Sequence, residues 1–248
     1  MIINLSMLSN TLLEEITDGM VIGLGSGRTV ALILDILVNS IRGKKSNDNS
    51  NKSTVNIDSL RFIPTSLQIR LKAEALGLDI VESSPCIDIV LDGADQIDNR
   101  LNMIKGGGGA LLREKVLIHA SKKVIIFADE SKYVDKLTLP IPIEVLPYAR
   151  SYVIKTLIDM FNAKPIIRVN DRGYPVITEN GNIILDTAID ISKYYNNNND
   201  KNKLVELEHA MKCVAGVIEV GLFTKHADIY YKIMKNDKIE IIKNCFVD

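Results

Sequence analysis

Residues 88–98 read DIVLDGADQID, and residues 103–115 read MIKGGGGALLREK. The first opens on an apolar strand candidate, Ile87 to Leu91, and runs straight into carboxylates and a glycine. The second passes from four glycines into a helical stretch, Ala110 to Ala120. Strand, loop and helix in this order recur on both sides. Upstream, Met20 to Leu24 is an apolar run ending in glycines, followed by a helix with Val30, Leu34, Leu37, Val38 and Ile41 on one face. Leu60 to Ile63 is a strand ended by Pro64, and Leu67 to Leu76 is a helix stopped by Gly77. Downstream, Val124 to Phe127 is a further strand. Alternating strands and helices predict an α/β fold, a parallel sheet covered on both faces.

The pattern changes near Thr138. The stretch LTLPIPIEVLP, 137–147, carries three prolines and reads as a connection between domains rather than a central strand. A helix follows from about Ala149 to Phe161. Two strand-like runs, Ile166–Val169 and Ile183–Leu185, flank Tyr174–Ile177, and the turn sequences NDRG and ENGN separate them, a hairpin signal. Leu204 to Lys212 is helical. The expectation is a large α/β domain, 1–137 plus 224–248, and a smaller α+β domain, 138–223. The last residues, with alternating Ile and Val, are expected to rejoin the first sheet.

The chain has 248 residues with 30 Lys+Arg against 31 Asp+Glu, a net charge of -1. That balance argues against a nonspecific nucleic-acid binder, which needs a basic surplus. Cys86, Cys213 and Cys245 lie far apart, and His119, His209 and His226 form no ligand pair, so neither a zinc site nor a disulfide framework is expected. The thiols read as buried or partly buried in a reducing compartment. No segment reaches the roughly 18 apolar residues of a membrane span, and the N-terminus lacks a signal-peptide pattern. These features predict a cytoplasmic protein with no membrane partner. Two polar stretches, 44–54 and 196–203, read as surface loop expansions without a function.

In parallel α/β sheets ligands bind beyond the carboxyl ends of the strands, and three loops there have unusual content. Gly23-Leu24-Gly25-Ser26-Gly27-Arg28-Thr29 lets backbone approach a ligand and leads into a helix whose first N–H groups suit phosphate. The same glycines also fit a tight strand-to-helix turn with no ligand. Asp92-Gly93-Ala94-Asp95-Gln96-Ile97-Asp98 crowds three carboxylates at a strand end, as turn chemistry or as a functional cluster. Lys105 precedes Gly106, Gly107, Gly108 and Gly109, a run that is costly to order unless backbone must pass close to something. Glu114 follows in the next helix, where, taken alone, it reads rather as a solvated carboxylate beside Arg113 and Lys115. Lys132, in ADESK at 128–132, is a weaker candidate.

Together these stretches resemble the type A ribose-5-phosphate isomerases. The matching runs are GLGSGRT at 23–29, PTS at 64–66, DIVLDGADQID at 88–98, MIKGGGGALLREK at 103–115, ADESK at 128–132 and LPIPIEVLP at 139–147. GNIILD at 181–186 and GVIEVGLF at 216–223 continue the likeness over nearly the whole chain. The resemblance implies interconversion of D-ribose 5-phosphate and D-ribulose 5-phosphate in the non-oxidative pentose phosphate pathway. It implies no organic cofactor, no essential metal, and a homo-oligomer, a dimer or tetramer. It makes Glu114 the general base, with Lys105 and Asp92 beside it in catalysis. Substrate contacts fall on Ser26, Gly27, Arg28, Thr29, Asp92, Gly93, Ala94, Asp95, Lys105, Gly106, Gly107, Gly108 and Lys132. The family usually has Ser at the position of Arg28, and many members carry a phosphate-holding Lys on the N-terminal helix; here no Lys precedes Lys44. Arg28 is expected to supply that charge, an idea discarded if Arg28→Ser leaves the Michaelis constant unchanged.

The chemistry agrees with the residues. One carboxylate, made more basic by partial burial, carries a proton between C2 and C1 through an enediolate. The growing oxyanion needs preorganised donors, which Lys105 and the glycine-loop N–H groups provide. A sugar-phosphate sensor without catalysis is the competing reading. A sensor would carry a DNA-binding helix pair, for which few residues precede Met20, and would not need both Glu114 and Lys105. A sugar-phosphate deaminase would need other acid–base residues, and a purely structural protein would not need the ligand-like loops.

Overall fold

In the computed structural model, which describes residues 5–44, 55–195, 203–236 and 238–244, the apolar runs become strands and the one-faced stretches become helices. The expansions at 44–54 and 196–203 lie outside the described residues but for Lys44 and Lys203, and so does Cys245. In chain order the elements begin α1 (Leu5–Glu14), β1 (Val21–Leu24), α2 (Gly27–Lys44), β2 (Arg61–Pro64), α3 (Leu67–Ala75), β3 (Asp79–Ile80), β4 (Ile89–Gly93), β5 (Gln96–Ile97), β6 (Met103–Ile104), α4 (Leu111–Ala120) and β7 (Val124–Asp129). They continue β8 (Ile141–Val145), α5 (Arg150–Phe161), β9 (Lys164–Ile167), β10 (Ile183–Ala188), α6 (Lys203–Lys212), β11 (Val217–Val220), β12 (Leu222–Phe223), β13 (Ile229–Ile233) and β14 (Ile239–Lys243). Two compact units result. Unit one is Met1–Gly93, Val116–Glu130 and Ala227–Asp248; unit two is Ala94–Lys115 and Ser131–His226.

Unit one holds a seven-stranded sheet in the order β14-β13-β7-β4-β1-β2-β3. All pairs are parallel except β13 with β14, an antiparallel hairpin at the edge. The last residues therefore do rejoin the first sheet. The helical stripe of α2 explains its packing: Val30, Leu34, Leu37, Val38 and Ile41 are all buried in one core with Ile22, Leu24, Leu91 and Phe127. Each such side chain contributes roughly 1.5–3 kcal/mol on burial. Ser66 caps α3 by accepting the Ile69 N–H, and Gly77 ends it with φ of +65°, which a side chain would oppose. From β1 the chain winds outward to β2 and β3, then returns to the other side of β1 with β4 and β7. The switch of direction lies between β1 and β4, where an open parallel sheet places its ligand crevice.

Unit two holds an antiparallel sheet in the order β11-β8-β10-β9 and a small antiparallel sheet β12-β6-β5. The segment read as a domain connection is in fact a central strand: Ile141–Val145 is buried at every residue between β10 and β11. Pro140 and Pro147 bracket it, and only Pro142 lies within, one residue from the start of the strand, where a missing N–H costs least. The Pro142 carbonyl still accepts the Gly221 N–H at 2.6 Å. The NDRG and ENGN turns form, with Gly173 N–H on Asn170 O and Gly181 N–H on Thr178 O. Tyr174–Ile177 makes only single bridges, Val169 with Pro175 and Ile177 with Ile183, rather than a strand. Unit two also takes in 94–115 and 131–137, stretches that the sequence pattern grouped with the large domain. Cys86 and Cys213 are exposed rather than buried.

Candidate functional site

In unit one the β1 loop and the end of β4 meet at the switch point. The Gly25 N–H donates to Leu91 O at 2.9 Å. A Cβ at Gly25 would stand 1.8 Å from Asp92 Oδ1, so glycine is required for this approach. Asp92 is 1% exposed and accepts the Gly93 N–H at 2.7 Å. Gly27 opens α2 with φ of +89°, and its N–H donates to Gln68 Oε1 at 3.0 Å. Ser26, Gly27 and Thr29 are half-buried around this first turn, whereas Arg28 is exposed. Thr65, in the PTS run, is fully buried, with no partner for its hydroxyl among the described residues.

In unit two the glycine loop is built around Asp95 and Lys105. Ala94 and Asp95 are half-buried. The Asp95 N–H donates to Ile104 O at 2.9 Å, and its carboxylate accepts the Gly107 N–H at 2.7 Å. A Cβ at Gly107 would stand 2.8 Å from that carboxylate. The third carboxylate, Asp98, turns elsewhere: it accepts from Asn102 and from the Tyr195 hydroxyl. Burial pushes the Tyr195 hydroxyl well above its ordinary pKa, so it stays protonated as the donor.

Lys105 and Glu114 meet across the loop. Nζ stands 3.2 Å from Oε2, with side chains only 3% and 4% exposed. Glu114 is thus no solvated helix carboxylate, as its charged neighbours suggested. The Lys105 N–H is fixed on Gly221 O at 2.9 Å, and its Nζ lies 5.5 Å from the centre of the Phe223 ring. Lys132 is half-buried on the short turn Glu130–Lys132, and Gly107 and Gly108 are exposed while Gly106 is buried.

Lys115 is the residue whose importance the sequence did not show. Its buried ammonium donates to Glu208 at 2.6 Å, Glu219 at 3.0 Å, Val220 O at 2.6 Å and Leu222 O at 3.0 Å, and lies 4.5 Å from the Phe223 ring centre. Burial pushes the Glu219 carboxyl up, but the Lys115 charge, the Val220 N–H and Lys212 together hold it below its ordinary value. Arg113 faces away, onto Asn180 and the Glu179 carbonyl. Among the described residues no group of three or more His, Cys, Asp or Glu is arranged to hold a metal ion, and no helix is long and apolar enough to cross a membrane.

Comparison with known proteins points to one family. The family model of ribose 5-phosphate isomerase A (phosphoriboisomerase A) matches residues 61–237. The chain is 40% identical over 240 residues to the ribose-5-phosphate isomerase A of Methanococcus aeolicus, covering 94% of this chain and 92% of that one. It is 38% identical over 216 residues to the enzyme of Archaeoglobus fulgidus, covering 86% and 87%. The solved ribose 5-phosphate isomerase A of Methanocaldococcus jannaschii superposes with a TM-score of 0.80 at 34% identity, over 96% of each chain. A ribose-5-phosphate isomerase solved with phospho-erythronic acid superposes at 0.81 with 31% identity, over 98% of this chain and 100% of that one. With a family model spanning most of its length and relatives aligned nearly end to end, this chain belongs to the ribose 5-phosphate isomerase A family.

Proposed function

We propose that Glu114 and Lys105 do the chemistry of the reaction that family membership assigns to this chain, the interconversion of D-ribose 5-phosphate and D-ribulose 5-phosphate. Glu114 takes the proton from C2 of the opened aldose. The C–H electron pair becomes the C1–C2 double bond, and the carbonyl pair moves onto O1. A proton passes from O2 to O1, the ketone forms at C2, and Glu114 returns its proton to C1. Charge that builds on the enediolate oxygens is met by Lys105 and the N–H groups of the glycine loop. Asp92 and Asp95 move protons in ring opening, and Ser26, Gly27, Arg28 and Thr29 take the phosphate, as helix N-termini with hydroxyls do. Gly93, Ala94, Gly106, Gly107, Gly108 and Lys132 complete the substrate contacts.

The observation that carries this reading is the buried pair, Lys105 Nζ to Glu114 Oε2 at 3.2 Å. A base and a cation held together out of water suit a proton shuttle with a charged intermediate. Phospho-erythronic acid, bound by a solved relative, is a phosphorylated sugar acid, which fits a site for an anionic sugar phosphate. The same reading makes the protein a cytoplasmic homo-oligomer, a dimer or tetramer, acting in the pentose phosphate pathway. The test is incubation of purified protein with ribose 5-phosphate without added metal, followed by assay for the ketose. Binding of the sugar phosphate with no ketose formed would replace the isomerase with a sensor.

A further inference from the structure

Four glycines in a row have almost no conformational preference of their own, so something else must choose the orientation of each peptide in the loop after Lys105. Arg168, just beyond β9, reaches that loop. Its Nη1 donates to Gly106 O at 2.7 Å and to Gly107 O at 3.1 Å. Nε and Nη2 are taken up by the two oxygens of Asp186 on β10, with Nε 2.9 Å from Oδ2. The backbone of Arg168 is fixed on both sides, its N–H on Ile184 O and its carbonyl under the Val176 N–H. The guanidinium is therefore held rigidly before it meets the glycines, and its side chain is only 16% exposed.

The geometry of a trans peptide turns this into a statement about donors. Carbonyl and N–H of one peptide unit point in opposite directions. Holding Gly106 O on Arg168 directs the Gly107 N–H away from it, onto Asp95, where the structure finds it at 2.7 Å. Holding Gly107 O on Arg168 directs the Gly108 N–H away in the same manner, at an exposed residue next to the start of α4. Gly106, with φ of +106°, adopts a conformation that resists a side chain, so no bulkier residue could replace the clamp by stiffening the loop.

Resting on the isomerase reading above, we infer that Arg168, oriented by Asp186, is a positioning residue for isomerisation. It touches no reacting atom. It fixes the Gly106–Gly107 carbonyls so that the Gly108 N–H is presented to the enediolate oxygen and Asp95 is presented to the sugar. Lys at this position keeps a charge but lacks the planar fork that serves Asp186 and both carbonyls at once.

The test is steady-state kinetics on ribose 5-phosphate with wild type, Arg168→Ala, Arg168→Lys and Asp186→Asn, each normalised to folded protein by circular dichroism. Arg168→Ala should lower kcat about 10²–10³-fold, the usual cost of losing an oxyanion donor, while KM moves less than about threefold. Millimolar guanidinium ion should restore part of the kcat of Arg168→Ala, and equal ammonium should not. Arg168→Lys should be impaired nearly as much as Ala, and Asp186→Asn less. Wild-type kcat in Arg168→Ala or Arg168→Lys, or a loss in which only KM rises, overturns the inference. If Arg168→Ala does not fold, Arg168→Lys decides, since it keeps the aliphatic stem and charge. A wild-type protein that makes no ketose removes the isomerase reading itself; an active wild type with unimpaired Arg168 variants removes the clamp alone.

Discussion

Lys105 Nζ and Glu114 Oε2 stand 3.2 Å apart with both side chains almost wholly out of water. They are nine positions apart in the chain, and the glycine run between them lets the loop fold back to the first turns of α4. An ion pair this buried gives little net stability, because desolvation of two charges offsets most of their attraction. On the proposed mechanism its placement is preorganisation: a carboxylate held ready for a proton and a cation ready for the negative charge that follows.

Glu114→Gln keeps the size and the hydrogen-bonding capacity but removes the base. Turnover on ribose 5-phosphate should fall by roughly two to four orders of magnitude, the span for a positioned acid–base group. Binding of the substrate, followed by calorimetry, should change far less. Near wild-type turnover would take Glu114 out of the role.

Removing one charge of the pair takes from the other the buried ion pair it makes in the fold. Lys105→Met should therefore cost about 3–5 kcal/mol in urea unfolding. The double variant Lys105→Met with Glu114→Gln should be more stable than Lys105→Met, although it loses more native side-chain chemistry. If the two losses simply add, the pair is not energetically coupled and its apparent closeness has no consequence.

How much of this was legible in the sequence depends on the range of the signal. The stripe of α2, the apolar runs of β1, β4 and β7, and the Gly77 stop are local patterns, and all give the elements expected, though β4 runs two residues later than its apolar run and so takes in Asp92 and Gly93. Pro142 misled because the rule against proline in central strands concerns a missing N–H, and near the start of β8 that loss is tolerated. The assignment of 94–115 to unit two rests on β5 and β6, two residues each, too short to show any period. β12, which pairs with β6, lies more than a hundred residues later in the chain. Glu114 and Lys105 were singled out by resemblance rather than by spacing alone. Lys115 was not singled out at all, since a lysine in the triplet Arg-Glu-Lys looks solvated until Glu208 and Glu219 arrive from distant elements.

Gly25 tests the switch point of the parallel sheet. A methyl group there would overlap Asp92 Oδ1, which is itself buried and held by the Gly93 N–H. Gly25→Ala forces either the loop or the carboxylate to move. The expected result is a loss of about 1–3 kcal/mol in stability, as for other overpacked sites, together with at least about a tenfold drop in kcat/KM, the scale on which a misplaced catalytic group is felt. Urea denaturation and steady-state kinetics on the same preparation measure both. Wild-type values for the two would show that the loop has room that the geometry denies.

Lys115 gives a pH-dependent prediction. The folded-state pKa of Glu219 lies below its ordinary 4.5: burial acts to raise it, and the nearby Lys115 charge, the Val220 N–H and Lys212 outweigh burial. A carboxyl lowered in the fold contributes stability that is present above its unfolded pKa and is lost as pH falls through the folded value. Lys115→Met removes the main attraction and leaves burial, with Lys212 Nζ still 3.1 Å from the other carboxylate oxygen. The ionised Glu219 is then penalised at neutral pH, and protonation relieves it. The stability gap between wild type and Lys115→Met should therefore be widest near neutrality, at about 3–5 kcal/mol, and narrow as pH falls first through the raised Glu219 value of the variant and then through the lowered value of the wild type, on either side of the ordinary 4.5. Urea midpoints taken from neutral pH down to acid measure the gap, and adding Glu219→Gln to Lys115→Met should flatten most of its pH dependence. A gap that stays constant across that range would mean that Lys115 supports the strand ends through the Val220 and Leu222 carbonyls and not through its charge on Glu219.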